Sequence, residues 1–135
     1  MILLLSGGTE IARAMLVERL LKERPSFRHI TLEDFEHMPF FQGMEESEQQ
    51  KMSASLAITC AQEMVDEGFH IVLTHANADE LVPDLKEEME DGKLVTVIIG
   101  TAEEVEGFDY SIDTINRSAG DVYVQLEKII AKATA

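Results

Sequence analysis

The residues of this chain that could do chemistry gather where short apolar runs give way to turns. Ser6, Gly7, Gly8 and Thr9 lie between the apolar run Met1–Leu5 and an amphipathic stretch that begins at Ile11. A strand that turns through glycines directly into a helix presents backbone N–H groups and a helix N-terminus, which together cradle an anion. The same four residues also read as a tight turn in which Thr9 caps the helix and Glu10 sits well on its dipole. A second group, Glu33, Asp34, Glu36 and His37, places Glu33 and His37 four residues apart. That pair is of the type that binds a metal, and equally of the type found in a solvated acidic loop. Thr74, His75, Asn77 and Asp79 follow the run His70–Thr74. Open α/β sheets bind ligands at such strand ends, although Asn77 or Asp79 would serve as well as the cap of a following helix.

Other chemistries are excluded by what is missing. A loop that holds a triphosphate needs G-x-x-x-x-G-K-[ST], with lysine on the terminal phosphates and a hydroxyl on Mg²⁺. Here no second glycine follows at that spacing and the first lysine is Lys22. Cys60 is the only cysteine, so no internal disulfide or multi-cysteine zinc site can form. On the apolar side of a helix it reads as a small buried hydrophobe rather than a nucleophile. The G-x-S-x-G pattern of a nucleophile elbow is absent. No residue is nominated as catalytic, and no metal or cofactor is expected. The segment Met38–Met44, which contains Phe40 and Phe41, is apolar, aromatic and methionine-rich. It reads either as a plug over the sheet edge or as an exposed surface for a protein partner or a second copy.

The elements that must position these groups follow from hydrophobic period. Five runs read as strands: Met1–Leu5, Arg28–Leu32, His70–Thr74, Leu94–Ile99 and Tyr110–Asp113. Ile71–Leu73 and Val95–Ile99 are nearly continuous in apolar or β-branched residues, as parallel strands covered on both faces require. Between them lie a helix from Ile11 to Leu21, a long one from about Glu46 to Glu67 stopped by Gly68, and a shorter one. Met52, Leu56, Cys60 and Met64 mark the expected inner side of the long helix. Leu81, Val82, Leu85 and Met89 mark the shorter one, which should close before Asp91-Gly92. Ala119, Val122, Tyr123, Leu126, Ile129 and Ile130 carry the helical period toward the C-terminus. Strands alternating with helices predict an α/β fold: a three-layer α/β/α sandwich with a five-stranded, mostly parallel sheet in one domain spanning residues 1–135.

Composition narrows the partners. The 135 residues are 45% hydrophobic, enough for one filled core, and no run approaches a membrane span. Met1–Leu5 lacks the basic and long apolar regions of a signal peptide, so a cytoplasmic location is the expectation. Twenty-six Asp and Glu against eleven Lys and Arg give a net charge of −15. Such a field repels nucleic acid and anionic membranes, so neither is expected as a partner.

Taken together, these segments resemble the P-loop kinase-like group of small nucleoside and adenylylsulfate kinases, over nearly the whole chain. Leu3–Gly8 and Ile11–Leu20 are similar to the first strand and helix of that group. Ile30–Phe35 looks like its second strand, which ends in an acidic pair and an aromatic near the phosphoryl acceptor. Gly68–Thr74 looks like the strand after its long helix, and Phe108–Thr114 like its closing strand. The resemblance implies a nucleotide site at Ser6–Thr9, Asp34, Thr74 and His75. The departures fall on the catalytic parts. The phosphate loop, a degenerate Walker A, lacks its lysine and hydroxyl, and Thr74-His75 stand where a carboxylate is usual. Thr101–Gly107, where the group has an arginine-bearing lid, contains no basic residue. Phosphoryl transfer depends on those groups. The expectation is a binding or regulatory module that has lost the reaction, with a small-molecule or nucleotide-binding enzyme working at the sheet edge as the alternative.

Overall fold

The computed structural model describes residues 1–89, 93–101 and 103–134. Five strands, β1 (Ile2–Gly7), β2 (Phe27–Thr31), β3 (His70–His75), β4 (Leu94–Ile99) and β5 (Tyr110–Ile112), form one sheet in the order β2-β3-β1-β4-β5. The helices are α1 (Glu10–Glu23), α2 (Leu32–Glu36), α3 (Glu46–Asp66), α4 (Val82–Glu88) and α5 (Ala119–Ala133). Among the described residues every strand pairing is parallel. Leu3 lies opposite both Val72 and Val95, Ile30 opposite Leu73, and Val97 opposite Tyr110.

A parallel sheet must bury both faces, and alternate residues of each strand serve the two helical layers. Leu3 and Leu5 point into a core shared with Leu16 and Leu20 of α1 and with Leu126 and Ile130 of α5. Ile2 and Leu4 point the other way, toward Ala57 and Ile58 of α3 and Leu85 of α4. The result is a three-layer α/β/α sandwich with β1 at its centre.

Two elements differ from the sequence pattern. Strand β2 ends one residue earlier than expected because Leu32 opens α2, a five-residue helix where an acidic loop was expected. In α3 the inner face is Ala54, Ala57, Ile58 and Ala61, while Met52 is exposed and Cys60 only partly buried. Small side chains let this helix approach the sheet closely, which turns the bulkier Met52–Met64 stripe toward the border of the layer. Cys60 is therefore not the fully buried residue its spacing implies. Helix α4 ends at Glu88, and Asp91-Gly92 lie outside the described residues.

The edge strand β5 is short, and a side chain extends its attachment. The Asp109 carboxylate accepts hydrogen bonds from Thr96 N–H at 2.9 Å, Thr96 Oγ1 at 3.0 Å and Lys86 Nζ at 3.1 Å. Burial is the largest single influence on this carboxyl and favours its neutral form. The Thr96 amide, Lys86 and the Thr96 hydroxyl together outweigh it and hold Asp109 below the usual carboxylate range. A folded value below the unfolded one means that this contribution is complete above about pH 4 and is lost as pH falls through the folded value. Asp109→Asn should cost about 1 kcal/mol at neutral pH, the low end of a charged hydrogen bond because the carboxylate is partly exposed. It should also flatten the loss of stability in acid. Urea unfolding at pH 7 and at pH 3 checks both, and an unchanged acid slope would exclude this role.

Candidate functional site

In this strand order, β1 and β3 are neighbours whose C-terminal connections leave on opposite faces, β1 into α1 and β3 toward α4. That divergence makes the crevice where open α/β sheets take ligands. Ser6, Gly7, Gly8 and Thr9 form its β1 side, and Thr74 and His75 its β3 side.

The turn after β1 is forced by close approach. Gly7 and Gly8 both have positive φ, +85° and +67°. A Cβ on Gly8 would lie 2.8 Å from Ile99 Cγ2, and one on Gly7 would lie 3.1 Å from the Ile99 carbonyl oxygen. Only glycine lets the chain turn this tightly against β4. Thr9 then caps α1, its Oγ1 accepting from Ala12 N–H at 3.0 Å. The turn's carbonyls are also engaged. Arg13 reaches back from the first turn of α1, its Nη1 donating to Gly7 O at 2.8 Å and to Gly8 O at 3.1 Å.

On the β3 side, four successive amides are taken by the protein's own acceptors. Ala76 N–H donates to the Glu33 carboxylate at 2.9 Å, Asn77 N–H to His75 Nδ1 at 2.9 Å, Ala78 N–H to Ser6 Oγ at 2.9 Å, and Asp79 N–H to Asn77 Oδ1 at 3.2 Å. The Ser6–Ala78 bond is buried and ties the end of β1 to the loop after β3 across the crevice. Because Nδ1 of His75 accepts an amide proton, Nε2 carries the hydrogen of the neutral ring and donates it to Glu36 Oε1 at 2.9 Å. Both ring nitrogens are thus spent, and His75 has no lone pair directed at a substrate. Thr74 Oγ1 pairs with His29 Nε2 at 2.8 Å. Desolvation holds the His29 imidazole below its ordinary value, against the opposing pull of Asp34.

The nominated residues therefore divide. Ser6, Gly7, Gly8, Thr9, Thr74 and His75 do meet at one edge, while Asp34 is exposed on α2 and reaches the group only as a charge felt by His29. Glu33 and Glu36, expected in a solvated loop, instead turn inward onto Ala76 and His75, which the hidden helix α2 makes feasible. His37 is exposed, and among the described residues no three His, Cys, Asp or Glu stand close enough to hold a metal ion. Sequence reading missed Arg13. Its position one turn into α1, four residues after the Thr9 cap, was the available signal.

Met38–Met44 is uneven in burial. Pro39–Phe41 is a single 3₁₀ turn rather than extended chain. Successive residues there point about a third of a turn apart, so Phe41 enters the core at 4% exposure while Phe40 stays 66% exposed. Their rings touch, with centroids 4.5 Å apart. Met38 and Met44 are half-buried.

A groove of about 720 Å³ lies elsewhere, between α1 and α5. Of the nominated residues, Thr9 reaches it. Its apolar lining includes Ile11 and Met15, 72% and 50% exposed, and Arg19, Lys22 and Arg117 stand along it with Glu18 and Glu23. Arg19 lies over the Tyr123 ring at 4.5 Å. Below, Arg24 pairs with Glu127 at 2.7 Å, and Glu127 also accepts from the Tyr123 hydroxyl. The signal for this groove was an i, i+4 apolar pair, Ile11 and Met15, off the buried Leu16–Leu20 stripe.

No family model matches the chain and no curated protein matches it significantly.

The turn yields a direct test. Gly8→Ala adds a methyl both at positive φ and into Ile99, and should destabilise the fold by about 1 kcal/mol or more. Denaturant midpoints at constant m-value measure it, and a variant as stable as wild type would exclude the close-approach account.

Proposed function

We propose that this chain is a non-catalytic binding or regulatory module of P-loop kinase-like architecture, in which phosphoryl transfer has been lost and Phe40 serves as the contact point for a protein. One observation carries the reading. The crevice at the switch point is occupied by the protein's own groups: Glu33 on the Ala76 amide, His75 on Asn77, and Ser6 across to Ala78. A carboxylate seated on a free backbone amide is chemically what an anionic ligand would be.

Further support comes from the turn after β1. The strand–Gly-Gly–helix geometry is present, but its cation is Arg13, bound to the loop's carbonyls and not free to clamp a terminal phosphate. Thr9, the hydroxyl nearest a Mg²⁺ ligand position, is committed to capping α1. Kinase catalysis is mostly positioning and charge stabilisation, and an acidic chain of net charge −15 without those clamps works against a triphosphate. Phe40 supports the contact role, since a large exposed aromatic backed by a buried partner is the type of anchor that dominates interfaces.

MgATP and MgGTP should produce no saturable heat and no shift in melting temperature up to about 1 mM, where a ligand contributes little beyond 4 kcal/mol of binding free energy. A saturable micromolar response would overturn the reading and favour a small-molecule or nucleotide-binding enzyme that uses Ser6–Thr9, Thr74 and His75.

A further inference from the structure

The two helical layers of the sandwich carry very different charge. Residues 10–24 and 113–134, which contain α1 and α5, hold seven Lys and Arg against six Asp and Glu. Residues 32–67 and 76–89, which contain α2, α3 and α4, hold two against fourteen. Most of the molecule's excess negative charge therefore sits on one side of the sheet. Each side also exposes large apolar groups: Ile11 and Met15 beside the α1/α5 groove, Phe40 on the acidic side. From His29 to Gln50, the stretch around Phe40 has no Lys or Arg, and Glu45, Glu46 and Glu48 follow it closely.

We propose that the groove between α1 and α5 receives the Phe40 turn of a second copy of this chain, so that copies associate head to tail. The inference rests on the reading of Phe40 as a contact residue and names both its partner and the surface that takes it. Apolar lining from Ile11 and Met15 meets the phenyl ring. Arg19, Lys22 and Arg117, which outnumber Glu18 and Glu23 in the lining, meet the carboxylates of Glu45, Glu46 and Glu48. The long-range repulsion between two acidic copies is screened beyond about 8 Å at physiological ionic strength, while pairs in contact are screened much less. Charge thus biases the orientation: acidic layer against the near-neutral groove layer brings together fewer like charges than acidic layer against acidic layer. The two contacting surfaces are different, so the interface is heterologous and extends into a ring or an open chain instead of stopping at a symmetric dimer.

Sedimentation velocity or light scattering at physiological ionic strength tests this, with three variants checked by circular dichroism for an unchanged fold. Phe40→Ser removes the anchor. Met15→Glu places a carboxylate in the groove, and Ile11→Glu does the same in the first turn of α1, where an acid suits the helix dipole. Wild type should gain mass with concentration toward about 0.5 mM, a range that captures associations of only about 4–5 kcal/mol. Each single variant should stay monomeric. An equimolar mixture of Phe40→Ser with Met15→Glu should form a heterodimer and nothing larger, because one intact groove then faces one intact anchor. Wild type that stays monomeric throughout, or a mixture that stays monomeric, overturns the proposal. So does association lost with Phe40→Ser yet kept by both groove variants, an outcome that leaves Phe40 as a contact residue and removes only the groove. The nucleotide titration reads the loss of phosphoryl transfer separately.

Discussion

Strand β1 is wedged between β3 and β4, and most of the architecture follows from that position. Both of its edges are hydrogen-bonded and both of its faces are covered, so residues Ile2 to Ser6 are all buried. A strand held on every side can leave the sheet only by turning sharply past its neighbour. Ile99 of β4 stands in the way, and the turn is accordingly built from two glycines at positive φ. The placement of α1, the capping role of Thr9 and the reach of Arg13 back to the turn are consequences of that exit. Ser6 completes the arrangement by holding the loop after β3 against the end of β1.

The layers and their strands were legible because their physics is periodic. Continuous apolar runs such as Ile71–Leu73 and Leu94–Ile99 admit little besides buried parallel strands, and Gly68 marked the end of α3 through its own conformational freedom. Less legible was anything set by close packing between elements. The Ala54–Ala61 face of α3 is quieter in the sequence than its methionines and leucine, although the small face is the one that meets the sheet. Helix α2 hid because Leu32–Glu36 is a single turn, too short for a period to register. With α2 hidden, the inward turn of Glu33 and Glu36 was hidden too, and it is this turn that changes the meaning of the sheet edge.

That edge shows why residue types alone overstate a site. Serine, threonine, histidine and glutamate at strand ends are the materials of catalysis, and here they do converge. What decides their role is where the remaining lone pairs and protons go. Ser6, Glu33, Glu36, Thr74 and His75 each have a partner within the protein, and among the described residues no buried side-chain polar atom lacks one. A catalytic constellation must leave some valence unspent for its substrate. Here Glu33, His75 and Ser6 accept hydrogen bonds from amides of the loop between β3 and α4.

The placement of β1 at the centre also governs how the chain acquires its fold. Leu3 pairs with Val72 and Val95, so β1 has no neighbour until β3 has been made and only one until β4 follows. Non-local parallel pairing of this kind is slow, because loop closure must be completed before the contacts that reward it. Until β3 emerges, the run Ile2–Leu5 is an unpaired, strongly apolar segment of the nascent polypeptide. Such segments are what chaperones recognise and what aggregates nucleate on. The demand that shapes the finished sandwich thus makes its central strand a vulnerable part of the folding chain.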